Sequence, residues 1–377
     1  MHIARKLLIL AIIVLFSYII YSLLQKRKAI LSSVEDYYKK KEKEKHLEGF
    51  GEKDDPNYDA IMKDIKNIST KIIYQTDNDN KPVVYKNYNT SSIDNNKTLK
   101  DVFIKASYDS AFTGNYLSNE MIKFCLSQGC RFVDFEVDIS NSIPSIVCKN
   151  NDKTNKTKSG TYDAISLLEG LKCTLDAAFN ENSGSNYPIR NVNDPLFIHI
   201  RCSDDNYNNV YKNVLRKLAD DNYYKNYLHL DSNNPTKFIS VDPTRDYLSS
   251  YKKKAIIIVC GDDAQSNNTC NYKYDKSKAK KYSDIVRKTQ PDFNIFQIVL
   301  SDSTELDTIK PNPDVFTSVK DRGYQVTCIS YSNYLKEAYL TQNERKYENM
   351  FIDFNYSYML MSDLSNYISN NPLYTQA

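Results

Sequence analysis

Arg131-Phe132-Val133-Asp134-Phe135-Glu136-Val137-Asp138-Ile139 alternates apolar and charged residues along nine positions. Side chains on a strand point to opposite faces in turn, so this stretch reads as a strand with Asp134, Glu136 and Asp138 on one face. The apolar residues Val133, Phe135 and Val137 take the other face, against a core. Three carboxylates in a row on the face of one strand are costly to bury, which marks this strand for chemistry as well as for packing.

Outward from it, apolar strands and helical stretches alternate. Val102–Ala106 precedes it as a short apolar strand, and Asn119–Ser127 has helical spacing closed by Gly129. Ile143–Cys148 is another strand. Ala164–Phe179 sets Leu167, Leu168, Leu171, Leu175 and Ala178 on one helical face. Leu196–Ile200, Ala255–Cys260, Phe296–Leu300, Gln325–Ile329 and Tyr356–Leu360 read as further strands, and Asn206–Ala219 as a helix. Alternation sustained over this length predicts an α/β fold with a parallel sheet, and the length suits a TIM-like (β/α) barrel. No internal repeat appears, and Gly261-Asp262-Asp263 after a strand is neither a Walker loop nor a dinucleotide fingerprint.

The N-terminal part has a different character. Leu7 to Leu24 carries no charge, and as a helix rising ~1.5 Å per residue it would cover ~27 Å, enough to cross a hydrocarbon core. No small-x-small cleavage site follows, so the reading is an uncleaved anchor. Arg5 and Lys6 stand on one side and Lys26, Arg27 and Lys28 on the other, which places the large domain on the cytoplasmic side. The expected organisation is an anchor over 1–28, a charged juxtamembrane helix and polar connector over 29–98, and one soluble domain over 99–377.

Composition narrows the partners. Fifty Lys and Arg against 47 Asp and Glu give a formal charge of +3, too balanced for a nucleic-acid face. The 31 tyrosines, the many Asn and Lys and the lack of Trp fit coding from an AT-rich genome, as in large DNA viruses and some protists. The eight cysteines form no Cys-x-x-Cys pair and have no histidine at ligand spacing, so zinc is not expected. Several sit in apolar runs, as Cys260 does after Ile256-Ile257-Ile258-Val259, which favours a reducing compartment.

Several segments together resemble the X region of phosphatidylinositol-specific phospholipase C. They are Ala106-Ser107-Tyr108-Asp109-Ser110, Gly129-Cys130-Arg131-Phe132-Val133-Asp134-Phe135-Glu136-Val137 and Ile143-Pro144-Ser145-Ile146-Val147-Cys148. Further on come Asp194 to Ser203, Leu248 to Ile258, Gly323 to Ser330 and Tyr356 to Leu360, so the resemblance runs over about 100–375. It implies a TIM-like barrel with its site at the C-terminal strand ends. There, two histidines serve as general base and acid, attacking phosphorus through the inositol 2-hydroxyl. Calcium on carboxylates, or an arginine in bacterial members, neutralises the phosphate.

This sequence departs from that pattern at the decisive positions. Tyr108 stands at the first histidine position, although Asp109-Ser110 follows it, and Cys148 stands at the second. Arg201 replaces the carboxylate at the end of a later strand, and of the four histidines only His199 and His229 lie within the resemblance. With ordinary pKa values of about 10 for Tyr and about 8.5 for Cys, neither replacement is a ready base at neutral pH. The family's carboxylates fall at Asp134 and Glu136. His199, two residues before Arg201, is expected on the same inward face and one layer deeper.

The degenerate catalytic positions are thus Tyr108, Asp109, Cys148 and His199, and the substrate-binding candidates Asp134, Glu136 and Arg201. Each has a plainer reading: His199 as a hydrogen-bonded core residue, Arg201 as an ion-pair partner for Asp134 or Glu136, Cys148 as a core thiol. No cofactor is expected, calcium being disfavoured by Arg201. The implied function is a membrane-anchored phospholipase C-like protein that has lost catalysis and binds a membrane lipid headgroup, such as a phosphoinositide, or a protein partner. Alternatives are an active phosphoric diester hydrolase with atypical acid/base groups, and a structural scaffold in a virion or organelle membrane.

Overall fold

The computed structural model describes residues 57–72, 96–140, 143–148, 164–180, 189, 192–202, 208–260, 270–274, 280–281, 296–301, 312, 318, 323–335 and 357–370. Contacts divide the chain into two units, Met1–Tyr58 and Asp59–Ala377, and nearly all described residues fall in the second. The expected anchor over Leu7–Leu24 lies outside the described residues. Among those described, no helix is long and apolar enough to cross a membrane.

The strands are β1 Val102–Ser107, β2 Phe132–Ser140, β3 Ile143–Val147, β4 Ile165–Ser166, β5 Leu196–Cys202, β6 Ala255–Cys260, β7 Tyr272–Tyr274, β8 Lys280–Lys281, β9 Ile298–Leu300, β10 Val326–Ile329 and β11 Tyr358–Leu360. The helices are α1 Tyr58–Lys71, α2 Asn119–Ser127, α3 Leu167–Phe179, α4 Asn208–Asp220 and α5 Met361–Asn370. All eleven strands belong to one sheet, with the path β7-β6-β5-β2-β1-β10-β9-β8. Every neighbouring pair on that path is parallel. β11 adds antiparallel to β1, and β3 folds back antiparallel on β2 as a hairpin carrying β4.

Strand neighbours along this path follow chain order, and the late strand β10 returns to lie beside the first. That is the cyclic order of a (β/α) barrel. The remaining rung, between β7 and β8, has no ladder among the described residues, so the expected closed barrel is not established. Ile104 and Ala106 of β1, Phe132 of β2, Phe197 of β5, Ile256 and Ile258 of β6, Ile298 of β9 and Val326 and Cys328 of β10 share one buried cluster.

The other face meets helices. Val133, Phe135, Ile198, Ile200, Ile257 and Val259 pack with Leu171 and Leu175 of α3 and Leu215 and Leu218 of α4. Burial on both faces explains why β6 reads as the unbroken run Ala-Ile-Ile-Ile-Val-Cys, every residue of it buried. Between α2 and β2 the chain reverses through Gly129 at φ +90, a conformation that a side chain would strain.

The segment read as a polar connector contributes to the core. α1 turns Ile61, Ile65 and Ile68 inward, with Ile72 beyond its end, to meet Phe103, Met121, Phe124 and Met359. Polar contacts fix its position. Asp64 Oδ2 accepts from Thr113 Oγ1 at 3.1 Å and from Asn115 Nδ2 at 2.8 Å, and Lys71 Nζ donates to the Leu335 carbonyl at 2.9 Å. The compact unit therefore takes in residues from Asp59 onward, ahead of the expected boundary at 99.

Candidate active site

Parallel strands end at a common edge, and the seven residues singled out from sequence meet there. Tyr108 and Asp109 follow β1, Asp134 and Glu136 lie on β2, Cys148 follows β3, and His199 and Arg201 lie on β5. The β2–β5 register sets Asp134 beside His199 and Glu136 beside Arg201. Period-2 alternation on two parallel strands therefore stacks two polar layers on one face.

Asp134 is the centre of the deeper layer. It is fully buried, as is His199, whose Nδ1 lies 2.8 Å from Asp134 Oδ1. An ionised carboxylate only accepts hydrogen bonds, so Nδ1 is the donor. Arg201 Nε reaches Asp134 Oδ1 at 2.9 Å and Nη2 reaches Oδ2 at 2.9 Å, a bidentate pair. Burial would raise the Asp134 pKa, but the Arg201 guanidinium and the His199 hydrogen bond outweigh it and hold the group at about 2.

The outer layer surrounds the same guanidinium. Arg201 Nη2 also donates to Asp109 Oδ1 at 2.5 Å, and Nη1 stands 3.6 Å from Glu136 Oε2. Arg201 Cζ sits 4.7 Å from the centre of the Tyr108 ring, a cation–π contact that closes one face of the guanidinium. Arg201 and Glu136 side chains are each 16% exposed and Asp109 5%, so solvent reaches the cluster through the first two. The surrounding carboxylates push the Arg201 pKa up despite its burial.

Asp109 has the opposite fate to Asp134. Burial raises its pKa, Arg201 opposes, and the charges of Asp134 and Glu136 add to the rise, leaving it at about 7. Its backbone is left-handed, φ 45, a region open to Asp and Asn more than to most residues. The turn is held by its surroundings. Asp109 N–H points to Asp134 Oδ2 at 3.2 Å, Ser110 N–H donates to the Asp134 carbonyl at 2.9 Å, and Asp134 N–H donates to Ser110 Oγ at 3.0 Å. Ser107 Oγ and Ser110 Oγ lie 2.5 Å apart beneath it. These two serines, absent from the sequence-based set, bind the end of β1 to β2. The retained Asp109-Ser110 pair was their only signal.

The remaining candidates fall behind the charged groups. Cys148 is buried, with Sγ 3.8 Å from Asp109 Oδ2. Tyr108 is buried under Arg201, and burial pushes its pKa well up, with Arg201 opposing. Asp138, on the same alternation as Asp134 and Glu136, stays out of the cluster: its Oδ1 accepts from the Ile139 N–H at 2.8 Å, where β2 runs on into the β3 hairpin. No group of three or more His, Cys, Asp or Glu suited to a metal ion occurs among the described residues. All eight cysteines are thiols.

No family model matches the chain, and no curated protein matches it in sequence. Solved structures similar to it include PLC21 of L. pealei, at 12% identity and TM-score 0.49 over 71% of this chain and 37% of that one. PLC21 of S. officinalis matches at 12% identity and TM-score 0.43 over 72% and 38%. The phosphatidylinositol-specific phospholipase C from Listeria monocytogenes matches at 13% identity and TM-score 0.38 over 68% and 96%. The chain thus spans 37–38% of the length of the two PLC21 chains.

Proposed function

We propose that this chain is a membrane-anchored protein of phosphatidylinositol-specific phospholipase C type whose barrel no longer turns over a diester and binds a phospholipid headgroup at the membrane surface. One observation carries the reading. The guanidinium of Arg201 is occupied from within by Asp134 and Asp109, with Glu136 close by. An arginine held in this way supplies the positive charge that a metal would otherwise bring. Calcium needs six to eight oxygen ligands, and the carboxylates that would offer them already face a cation. The one imidazole of the cluster, His199, is fully buried behind that ion pair, out of reach of a substrate at the rim. Proton transfer by imidazole therefore has no place in this site.

The anchor expected over Leu7–Leu24 fits this role, since it would tether the chain to a membrane. The rung between β7 and β8, without a ladder among the described residues, is read as the closing seam of the barrel.

A second reading rests on Asp109. Its carboxyl, held at about 7 beside Arg201, is a proton-transfer group near neutrality, and it would act as base in an active phosphoric diester hydrolase. Hydrolysis of phosphatidylinositol by the full chain, with calcium and with chelator, separates the two. We expect no turnover above background for wild type, His199→Ala or Arg201→Ala. Turnover by wild type that either substitution abolishes would overturn the degenerate reading and favour the hydrolase.

A further inference from the structure

The headgroup reading leaves a question of charge, because three carboxylates face a single guanidinium. Arg201 has two hydrogen-bonding edges. The inner one, Nε with Nη2, is committed to the fully buried Asp134. The outer one holds Asp109 on Nη2 and leaves Glu136 3.6 Å from Nη1, beyond hydrogen-bonding distance. Tyr108 covers one face of the guanidinium. Among the described residues, the side of Arg201 left open to a ligand is the outer edge, where the exposed part of the cluster lies.

An anion arriving there meets more negative charge than positive, and at such separations like charges cost several kcal/mol even with partial screening. One carboxylate must be neutralised first. Asp134 cannot serve, since it is fully buried and Arg201 and His199 hold its carboxyl well below the usual carboxylate range. Asp109 can, being attached to the outer edge by a single contact. We propose that the outer edge of Arg201 is a proton-gated site for one phosphodiester anion: the anion replaces Asp109 on the guanidinium, and Asp109 takes up a proton from solvent as it leaves.

Asp109 titrates at about 7, which puts the gate near neutrality. The groups facing it are Arg201 from β5, Asp134 and Glu136 from β2, Cys148 after β3, its neighbour Tyr108, and Cys328 from β10, with His199 on Asp134 behind them. Arg201 alone among these is a fixed cation, and its attraction is what the anion takes over. Proton uptake then makes affinity rise as pH falls through about 7 and level off below it. The inference rests on the headgroup reading and adds its condition.

The test uses the full chain and a ligand whose own charge does not change near neutrality. Glycerophosphoinositol is titrated calorimetrically between about pH 6 and about pH 8.5. In parallel, flotation is measured with phosphatidylcholine vesicles with and without phosphatidylinositol. We expect wild-type affinity to fall toward about tenfold per pH unit above about 7. Asp109→Asn, which keeps the side-chain shape and tolerates φ 45, should bind at the high pH as tightly as wild type binds at the low one. A flat wild-type profile, or an Asp109→Asn variant as weak as wild type at high pH, overturns the gate. Binding without pH dependence to phosphatidylinositol vesicles would sink the gate and leave the headgroup reading. Gated binding of the soluble diester without vesicle binding would do the reverse, and no binding by either protein would sink both.

Discussion

Strands β2 and β5 carry opposed charges near both their ends, and the two ends behave differently. Before β2 stands Arg131 and before β5 stands Asp194, both essentially inaccessible to solvent. Further along, the signs are exchanged: the acids are on β2 as Asp134 and Glu136, and the arginine is Arg201 on β5. At the first end burial pushes the Arg131 pKa down and Asp194 acts against it. At the second, carboxylates outnumber the arginine, raise its pKa, and leave Asp109 titrating at about 7. One buried acid set against one buried arginine leaves no excess charge with which to respond to solvent or ligand. An unbalanced, partly exposed cluster carries an excess charge that protons and ligands can modulate. The fold has thus built one arginine into its floor and the other into its mouth.

The largest effect should come from the floor. Arg131→Met would leave Asp194 as an uncompensated buried charge and remove the donor to the Ala178 carbonyl at 3.3 Å. Removal of one partner from a buried pair typically costs about 3–5 kcal/mol, which urea unfolding of the full chain would register. A loss under about 1 kcal/mol would mean that Arg131 and Asp194 are not a mutually dependent pair, and the contrast between the two ends would collapse.

A smaller effect, with a pH signature, belongs to the mouth. The folded pKa of Asp109, about 7, lies above the ordinary carboxyl value of 3.8. Its contribution to stability is therefore complete below about 4 and is lost as pH rises through about 7. Asp134, depressed to about 2, works the other way, and its contribution is lost only as pH falls through that value. Asp109→Asn should accordingly flatten stability between about pH 4 and pH 8 and raise it at pH 8. Thermal or urea unfolding across that range checks it. If the variant is as pH-dependent as wild type, the excess charge resides elsewhere in the cluster.

Much of this contrast was legible from residue order. Alternation on Arg131–Ile139 put Asp134 and Glu136 on one face, and the two-residue spacing of His199 and Arg201 did the same on the partner strand. The helix over Asn119–Ser127 has the expected bounds, because a serine cap and Gly129 punctuate it. What sequence could not supply was register. That Asp134 lies beside His199 depends on how β2 and β5 align, and a shift of one residue would have sent the acids to the helix-facing side. The left-handed turn at Asp109 was equally hidden, since it is imposed by hydrogen bonds from a strand 25 residues later. α1 was missed for a different reason. Ile61, Ile65, Ile68 and Ile72 repeat at helical spacing, yet they sit among Lys, Asn and Asp, and composition masked periodicity.

The smallest expected effect separates packing from chemistry at Cys148. Its Sγ belongs to the buried cluster shared with Phe135 and Leu167, and it lies 3.8 Å from Asp109 Oδ2. If Cys148 chiefly fills space, Cys148→Ala should cost about 1 kcal/mol or less, the price of a thiol-sized gap in a rigid wall. The thiol also helps to stabilise the Asp109 carboxylate, less than burial, Arg201, Asp134 or Glu136 affect it. Cys148→Ala should therefore move the pH midpoint of Asp109 upward by less than about half a pH unit, and Cys148→Ser, a better donor, downward by a similar amount. Both shifts can be read from the pH dependence of unfolding used for Asp109→Asn. A shift larger than about one pH unit in either variant would make Cys148 a working member of the cluster, and the excess charge at the mouth would then be shared among four groups instead of being concentrated at Asp109.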